Sequence, residues 1–110
     1  MKMYLDTSTD TCILRLGDTE YSRTGKYDLA ENIFSFIHDK LLEQNADWQD
    51  LTEITYYSGP GSFTGLRIGA ALVNALADQL RIPLFDHHGK RHQIIIPDYG
   101  RPANITPQKK

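Results

Sequence analysis

Between residues 54 and 80 the chain reads "ITYYSGPGSFTGLRIGAALVNALADQL". A short β-rich run over residues 54–57 breaks into a loop holding Gly59, Pro60, Gly61 and Gly65, and an apolar stretch of helical period follows over residues 64–80. "RIPLFD" then supplies another short strand. A helix joining two strands of one sheet implies a parallel crossover, because antiparallel neighbours need only a tight turn. This feature alone places the chain in the α/β class.

The remaining segments fit around that unit. Residues 3–6 form a short apolar run ended by the turn cluster "TSTDT", and "CILRL" from Cys12 alternates as a half-buried strand does. "GDTE" is a hairpin-type connection, and "YSRTG" from Tyr21 reads as a third strand. From Asp28, a candidate N-cap, the period becomes helical: Leu29, Ile33, Phe36, Ile37, Lys40 and Leu41 fall on one stripe. "NADWQDLTE" is a loop with room for one helical turn. The expected order is β-β-β-α-β-α-β, a mixed sheet with two main helices. After Asp86 the chain turns polar and basic, and residues 100–110 read as a poorly ordered tail.

A length of 110 residues means one domain with one modest core. The formal charge of −2 gives no global electrostatic reason to bind nucleic acid. Cys12 is the only cysteine, so no internal disulfide can form and a reducing compartment fits. "MKMYLDTSTDTC" holds no apolar run of signal-peptide length, and no stretch approaches the roughly 18 apolar residues of a membrane span. The expected location is the cytoplasm.

Strand, glycine loop and helix is also the layout of a phosphate cradle. A Walker-type loop needs Lys and then Ser or Thr after its last glycine, but Leu66 and Arg67 follow Gly65. The dinucleotide fingerprint needs G-x-G-x-x-G, and the spacing of Gly59, Gly61 and Gly65 is one residue too long. Free N–H groups at a helix start still favour anions, and Arg67 could add charge. The plainer reading is a turn made by Pro60 and Gly61 with Ser62 or Thr64 capping the helix. Both readings stay open at this point. The candidate loop site comprises Gly59, Pro60, Gly61, Ser62, Phe63, Thr64, Gly65 and Arg67.

The second helix is apolar nearly all round. Leu66, Gly69, Ala70, Val73, Leu76, Ala77 and Leu80 make one stripe, while Ile68, Ala71, Leu72 and Ala75 make another. A helix lying on one sheet needs one apolar face. In the first helix Phe34 and Leu42 fall outside the main stripe. Either the helices cover each other, or a partner covers them. Phe34, Ile68, Ala71, Leu72 and Ala75 are the candidate partner-binding residues, though the pattern does not say which stripe faces outward. Among the histidines, His88 and His92 are four apart, which on a helix would give a metal-ligand pair. Two ligands are too few, Gly89 weakens a helix, and Lys90 and Arg91 repel a cation, so a solvated polar segment is the preferred reading. No metal site is assigned. Spacing does not bring Ser62 near any histidine.

Residues 58–71, "SGPGSFTGLRIGAA", resemble the signature of the bacterial TsaB (YeaZ) family, scaffold proteins of tRNA threonylcarbamoyladenosine formation. "MYLDTSTDTCILRL" resembles that family's opening hairpin and "RIPLF" the strand after its second helix, so the resemblance covers residues 1–88. It implies a single ribonuclease-H-like, actin-like ATPase lobe over 1–88, followed by a short, partly disordered polar segment over 89–110. It implies a TsaD-like catalytic partner bound through the two helices and a TsaE-like ATPase helper, with tRNA met only indirectly. The TsaB-like member has no chemistry or cofactor of its own. Asp6 sits where the catalytic relatives keep an acidic residue near the phosphates, and "HGKRH" is similar to their H-x-x-x-H metal pair, which TsaB-like proteins normally lack. Family members usually carry a second lobe, for which this chain has only the short run after Phe85. With half a cleft, Asp6 and Thr7 are expected to make a strand-end turn. The rivals to a scaffold are a small nucleotide- or metal-dependent protein using the loop, Asp6 and the histidine pair, or a self-pairing homodimer.

Overall fold

The computed structural model describes residues 1–25 and 28–100. It contains β1 (Lys2–Asp6), β2 (Thr11–Leu16), β3 (Thr19–Thr24), α1 (Leu29–Glu43), β4 (Glu53–Tyr56), α2 (Phe63–Leu80), β5 (Leu84–Asp86) and β6 (Arg91–His92), with a 3-10 turn at Trp48–Asp50. The strands form one mixed sheet in the order β3-β2-β1-β4-β5-β6. The meander β1-β2-β3 is antiparallel, β1-β4 and β4-β5 are parallel, and β5-β6 closes as an antiparallel hairpin. The expected α/β order therefore holds, with one strand more than the pattern implied.

Alternation decides which face the helices cover. Met3 and Leu5 of β1, Cys12, Leu14 and Leu16 of β2, Ile54 and Tyr56 of β4 and Leu84 of β5 are all buried. Their in-between neighbours Tyr4, Ile13, Thr55 and Phe85 lie half-buried on the opposite face. From α1 the stripe Leu29, Ile33, Ile37 and Leu41 enters this core. Phe36 and Lys40 are only half-buried, with the Lys40 ammonium 5.4 Å from the Tyr21 ring centre on β3.

Several turns are made by particular side chains. Asp28 stands at the N-cap position of α1 but makes no capping hydrogen bond. Its carboxylate is instead held by both terminal nitrogens of Arg23, at 3.0 and 3.1 Å. At Trp48–Asp50 the Asp47 carboxylate accepts from the Trp48 N–H, while Asp50 accepts from the Asp47 N–H, a reciprocal capping box.

Residues 87–90, around the expected boundary at 88, form the turn of the β5-β6 hairpin. Past β6, residues 93–100 form an extended strap that returns over α2. Ile95 is buried in the core, and its N–H and C=O are both bonded by the Asn74 side-chain amide, at 2.8 and 3.0 Å. Beyond Gly100 the expected tail lies outside the described residues.

Candidate functional site

Four elements meet at the glycine loop. Ser62 caps α2, its hydroxyl accepting from the Gly65 N–H at 3.3 Å. The Ser62 N–H donates to the Ser8 carbonyl, and Gly61 backs onto Ser8. Tyr57 closes the loop by donating its hydroxyl to the Pro60 carbonyl. Gly59 has a φ of +119°, and the strap lies directly on it: the Asp98 N–H donates to Ser58 O at 2.7 Å. A Cβ at Gly59 would strike the Asp98 carbonyl, so both conformation and space require glycine there.

Beneath the loop, α2 is pinned to the sheet by buried hydroxyls. Thr7 Oγ1 donates to Gly65 O at 2.7 Å and lies 2.8 Å from the Tyr56 hydroxyl, which donates to Leu66 O at 2.9 Å. Each hydroxyl gives its one proton to a helix carbonyl, and burial pushes the Tyr56 phenol above its ordinary range. The approach is so close that a Cβ at Gly65 would run into the Thr7 carbonyl oxygen. This fixed junction explains the strand-glycine-helix pattern without a ligand. Phe63 and Thr64 are exposed in the first turn, the Phe63 ring edge-on to Tyr99 at 4.7 Å, and Arg67 is exposed on the helix flank.

The acidic and histidine candidates fall into separate local arrangements. Asp6 Oδ1 accepts from the Ser8 N–H at 2.8 Å and from the Ser8 hydroxyl at 2.6 Å, a strand-end turn. No helix forms at His88 and His92. Asp86 Oδ1 accepts the N–H groups of His88 and Lys90, and Asp86 Oδ2 lies 2.7 Å from His92 Nε2. The bond to His92 is the largest cause that lowers the Asp86 carboxyl to about 2. The His88 ring lies 4.1 Å from His87, and His87 Nδ1 accepts the Ser58 N–H at 3.3 Å with Ser58 Oγ 3.4 Å away. The serine beside a histidine is thus Ser58, not Ser62. Asp86 orients His92, however, so Ser58, His87 and Asp86 do not form a relay. Among the described residues no group of three or more His, Cys, Asp or Glu side chains could hold a metal ion. Cys12 is buried, and burial pushes its thiol up to about 11.

The two stripes of α2 separate cleanly. Gly65, Leu66, Gly69, Ala70, Val73, Leu76 and Ala77 are buried. Ala71 and Ala75 are exposed, and Ile68 and Leu72 half-buried. On α1, Phe34 is 50% exposed and stacks on Trp48 at 4.7 Å. The outward stripe of α2 is therefore apolar, with two exposed alanines beside half-buried Ile68 and Leu72.

Residues 26–92, more than half of the chain, match the model of the family described as "TsaD: tRNA N6-adenosine threonylcarbamoyltransferase". The chain belongs to the TsaD/TsaB family. The "tRNA threonylcarbamoyladenosine biosynthesis protein TsaB" of Buchnera aphidicola subsp. Schizaphis graminum is 32% identical over 74% of this chain and 40% of its own length. A "tRNA N6-adenosine threonylcarbamoyltransferase" of Pyrobaculum calidifontis is 42% identical over 48% of this chain and 16% of its own. Among solved structures, YeaZ from Pseudomonas aeruginosa superposes with a TM-score of 0.69 at 28% identity, over 77% of this chain and 42% of that one. The chain thus spans about 40% of the length of the TsaB relative, and its six-stranded sheet with two helices matches the fold of a YeaZ lobe. No described helix is long and apolar enough to cross a membrane.

What the sequence pattern missed is mostly turn chemistry. "DHHGK" is a hairpin signal, an Asp that accepts backbone N–H groups followed by Gly89 at φ +83°. "QIIIP" carries a short apolar run that could have identified the strap, with Ile95 turned inward. Neither the Thr7–Tyr56 contact nor the Asn74 clamp leaves a local signal, since each joins residues far apart in sequence.

Proposed function

We propose that this lobe is a non-catalytic scaffold in the formation of threonylcarbamoyladenosine on tRNA, working by pairing with a TsaD-like catalytic protein. The observation that carries the reading is the outward stripe of α2, Ala71 and Ala75 exposed beside half-buried Ile68 and Leu72, in a chain of this family. Small side chains let a partner helix come close, and covering apolar surface contributes roughly 25 cal/mol per Å² before ordering costs. Phe34 on α1, stacked on Trp48, offers a further exposed apolar side chain. The glycine loop serves in this reading as the rigid joint that fixes the angle of α2 on the sheet.

The enzyme alternative has less support. Asp6 is committed to Ser8 and His92 to Asp86, so both side chains already have partners. ATP with magnesium, or zinc, raising the melting temperature of the chain would revive that alternative. The test of the scaffold reading is co-purification with the TsaD-like protein of the same source. Ala75→Glu should keep the chain folded by circular dichroism and abolish capture, because a charge in an apolar interface lacks a partner. Light scattering with and without that protein separates this pairing from a homodimer on the same face.

A further inference from the structure

The outward stripe of α2 continues sideways into a groove of about 570 Å³ whose other wall is the strap. Thr64, Arg67 and Ala71 stand on the helix side, and Ile96, Pro97 and Tyr99 on the strap side. The strap wall is a built feature rather than a loose end. The Asn74 amide holds both backbone groups of Ile95, the Asp98 N–H is bonded to Ser58 O, and Tyr99 packs edge-on against Phe63. Ile95 points inward, and its neighbours Ile94 and Ile96 are left 64% and 81% exposed. Ile96 continues with Pro97 and with Ala71 across the groove, and contiguous apolar surface of this kind marks an association site where a lone exposed isoleucine would not. The strap begins just past residue 92, where the family match ends.

Charge narrows the occupant. Among the described residues Arg67 is the one charged side chain lining the groove, and no Asp or Glu lines it. Among the described residues its guanidinium has no hydrogen-bond or ion-pair partner. The Thr64 and Tyr99 hydroxyls also stand in the lining. A guanidinium offers five donors and no acceptor, and its fork matches a carboxylate or a phosphate; the mostly apolar lining around it favours an apolar peptide bearing a carboxylate over a phosphate.

We infer that this groove receives an extended, apolar segment of the partner protein that carries a carboxylate, its apolar side chains against Ala71, Ile96 and Pro97 and its acid on Arg67. The inference rests on the pairing reading above and names what the partner must present beside the helix contact.

Calorimetric titration of the full chain with the TsaD-like protein of the same source tests it. Arg67 and Ile96 are exposed, so their variants should fold, which circular dichroism checks. Arg67→Glu should weaken binding by about tenfold or more, and Arg67→Lys by only a fewfold. Ile96→Ser should weaken it comparably to Arg67→Glu. Added salt should weaken wild-type binding more than that of Arg67→Ala. If Arg67→Glu and Ile96→Ser bind like wild type while Ala75→Glu does not bind, the groove is not used and the helix reading stands. Loss at Ile96→Ser alone overturns the carboxylate. If Ala75→Glu binds like wild type, or the wild-type chain does not bind, the pairing reading fails and the groove inference falls with it.

Discussion

On the inner side of α2, Leu66 and Val73 have no exposed surface, while two residues on from Val73, Ala75 stands in solvent. Both stripes are apolar, and both recur at helical spacing. Their difference comes from what lies opposite. The inner stripe meets Ile54, Tyr56 and Leu84 of the sheet, and Gly65 lets the helix start touch the end of β1. In the outer stripe Ile68 and Leu72 reach the margin of the core, and Ala71 and Ala75 are left exposed. Periodicity reports that a face is apolar, and topology decides whether the chain itself covers it.

The largest contrast should come from placing the same charge on each side. Val73→Glu buries an unpaired carboxylate and should cost about 3–5 kcal/mol, a large share of a small domain's stability. Ala75→Glu should stay within about 0.5 kcal/mol of wild type. Urea unfolding followed by circular dichroism reads both. Equal losses would show that the outer stripe is also core, and the comparison would collapse.

Gly65→Ala probes the inner side where it is tightest. Its methyl group meets a backbone carbonyl, which cannot rotate away as a side chain could, so the helix must shift. A loss of about 1–3 kcal/mol is expected, the range for overpacking. Thr7→Ser keeps the hydroxyl and should cost less than Thr7→Val, which removes the buried bond to the Gly65 carbonyl and the neighbour of the Tyr56 hydroxyl. If Gly65→Ala is neutral, the junction is looser than its contacts imply.

Asn74 stands between the two faces and ties the strap to the helix. Asn74→Ala leaves the Ile95 N–H and C=O unbonded and should cost about 1–2 kcal/mol. It should also free Ile96 and Tyr99, read as sharpened, shifted NMR signals for the strap alone. Changes spread over the whole sheet would mean that the strap is part of the cooperative core.

The sequence made the α/β class, the two helices and both stripes of α2 legible, because each rests on a period that survives in any context. It also marked the glycine loop, where Gly59 and Gly65 are needed for conformation and close approach. The outward direction of Ala71 and Ala75 was not legible, since it depends on which neighbours the sheet supplies. Nor was the strap, whose anchors Asn74–Ile95 and Asp98–Ser58 join residues brought together only by folding. The Asp28 cap illustrates the middle case: the position was readable, but Arg23 from the adjacent strand takes the carboxylate.

Acid should give the mildest and most local separation of the two sides. The inner stripe contains no titratable side chain, whereas the hairpin leading to the strap turns on Asp86. That carboxylate accepts from the His88 and Lys90 N–H groups and from His92, which together hold its pKa at about 2, below the ordinary value of about 3.9. The unfolded chain therefore binds a proton in a range where the folded chain does not. Stability from this group is complete above about pH 4 and is lost as pH falls through about 2. In Asp86→Asn the charge is gone, and this part of the pH slope should vanish. The direct readout is the amide proton shifts of His88 and Lys90, which should titrate together with a midpoint near 2, while Val73 and Ala77 amides stay still. A midpoint at the ordinary carboxylate value would mean that Asp86 does not hold the hairpin, leaving the strap fixed by its anchors at Asn74, Ser58 and Phe63.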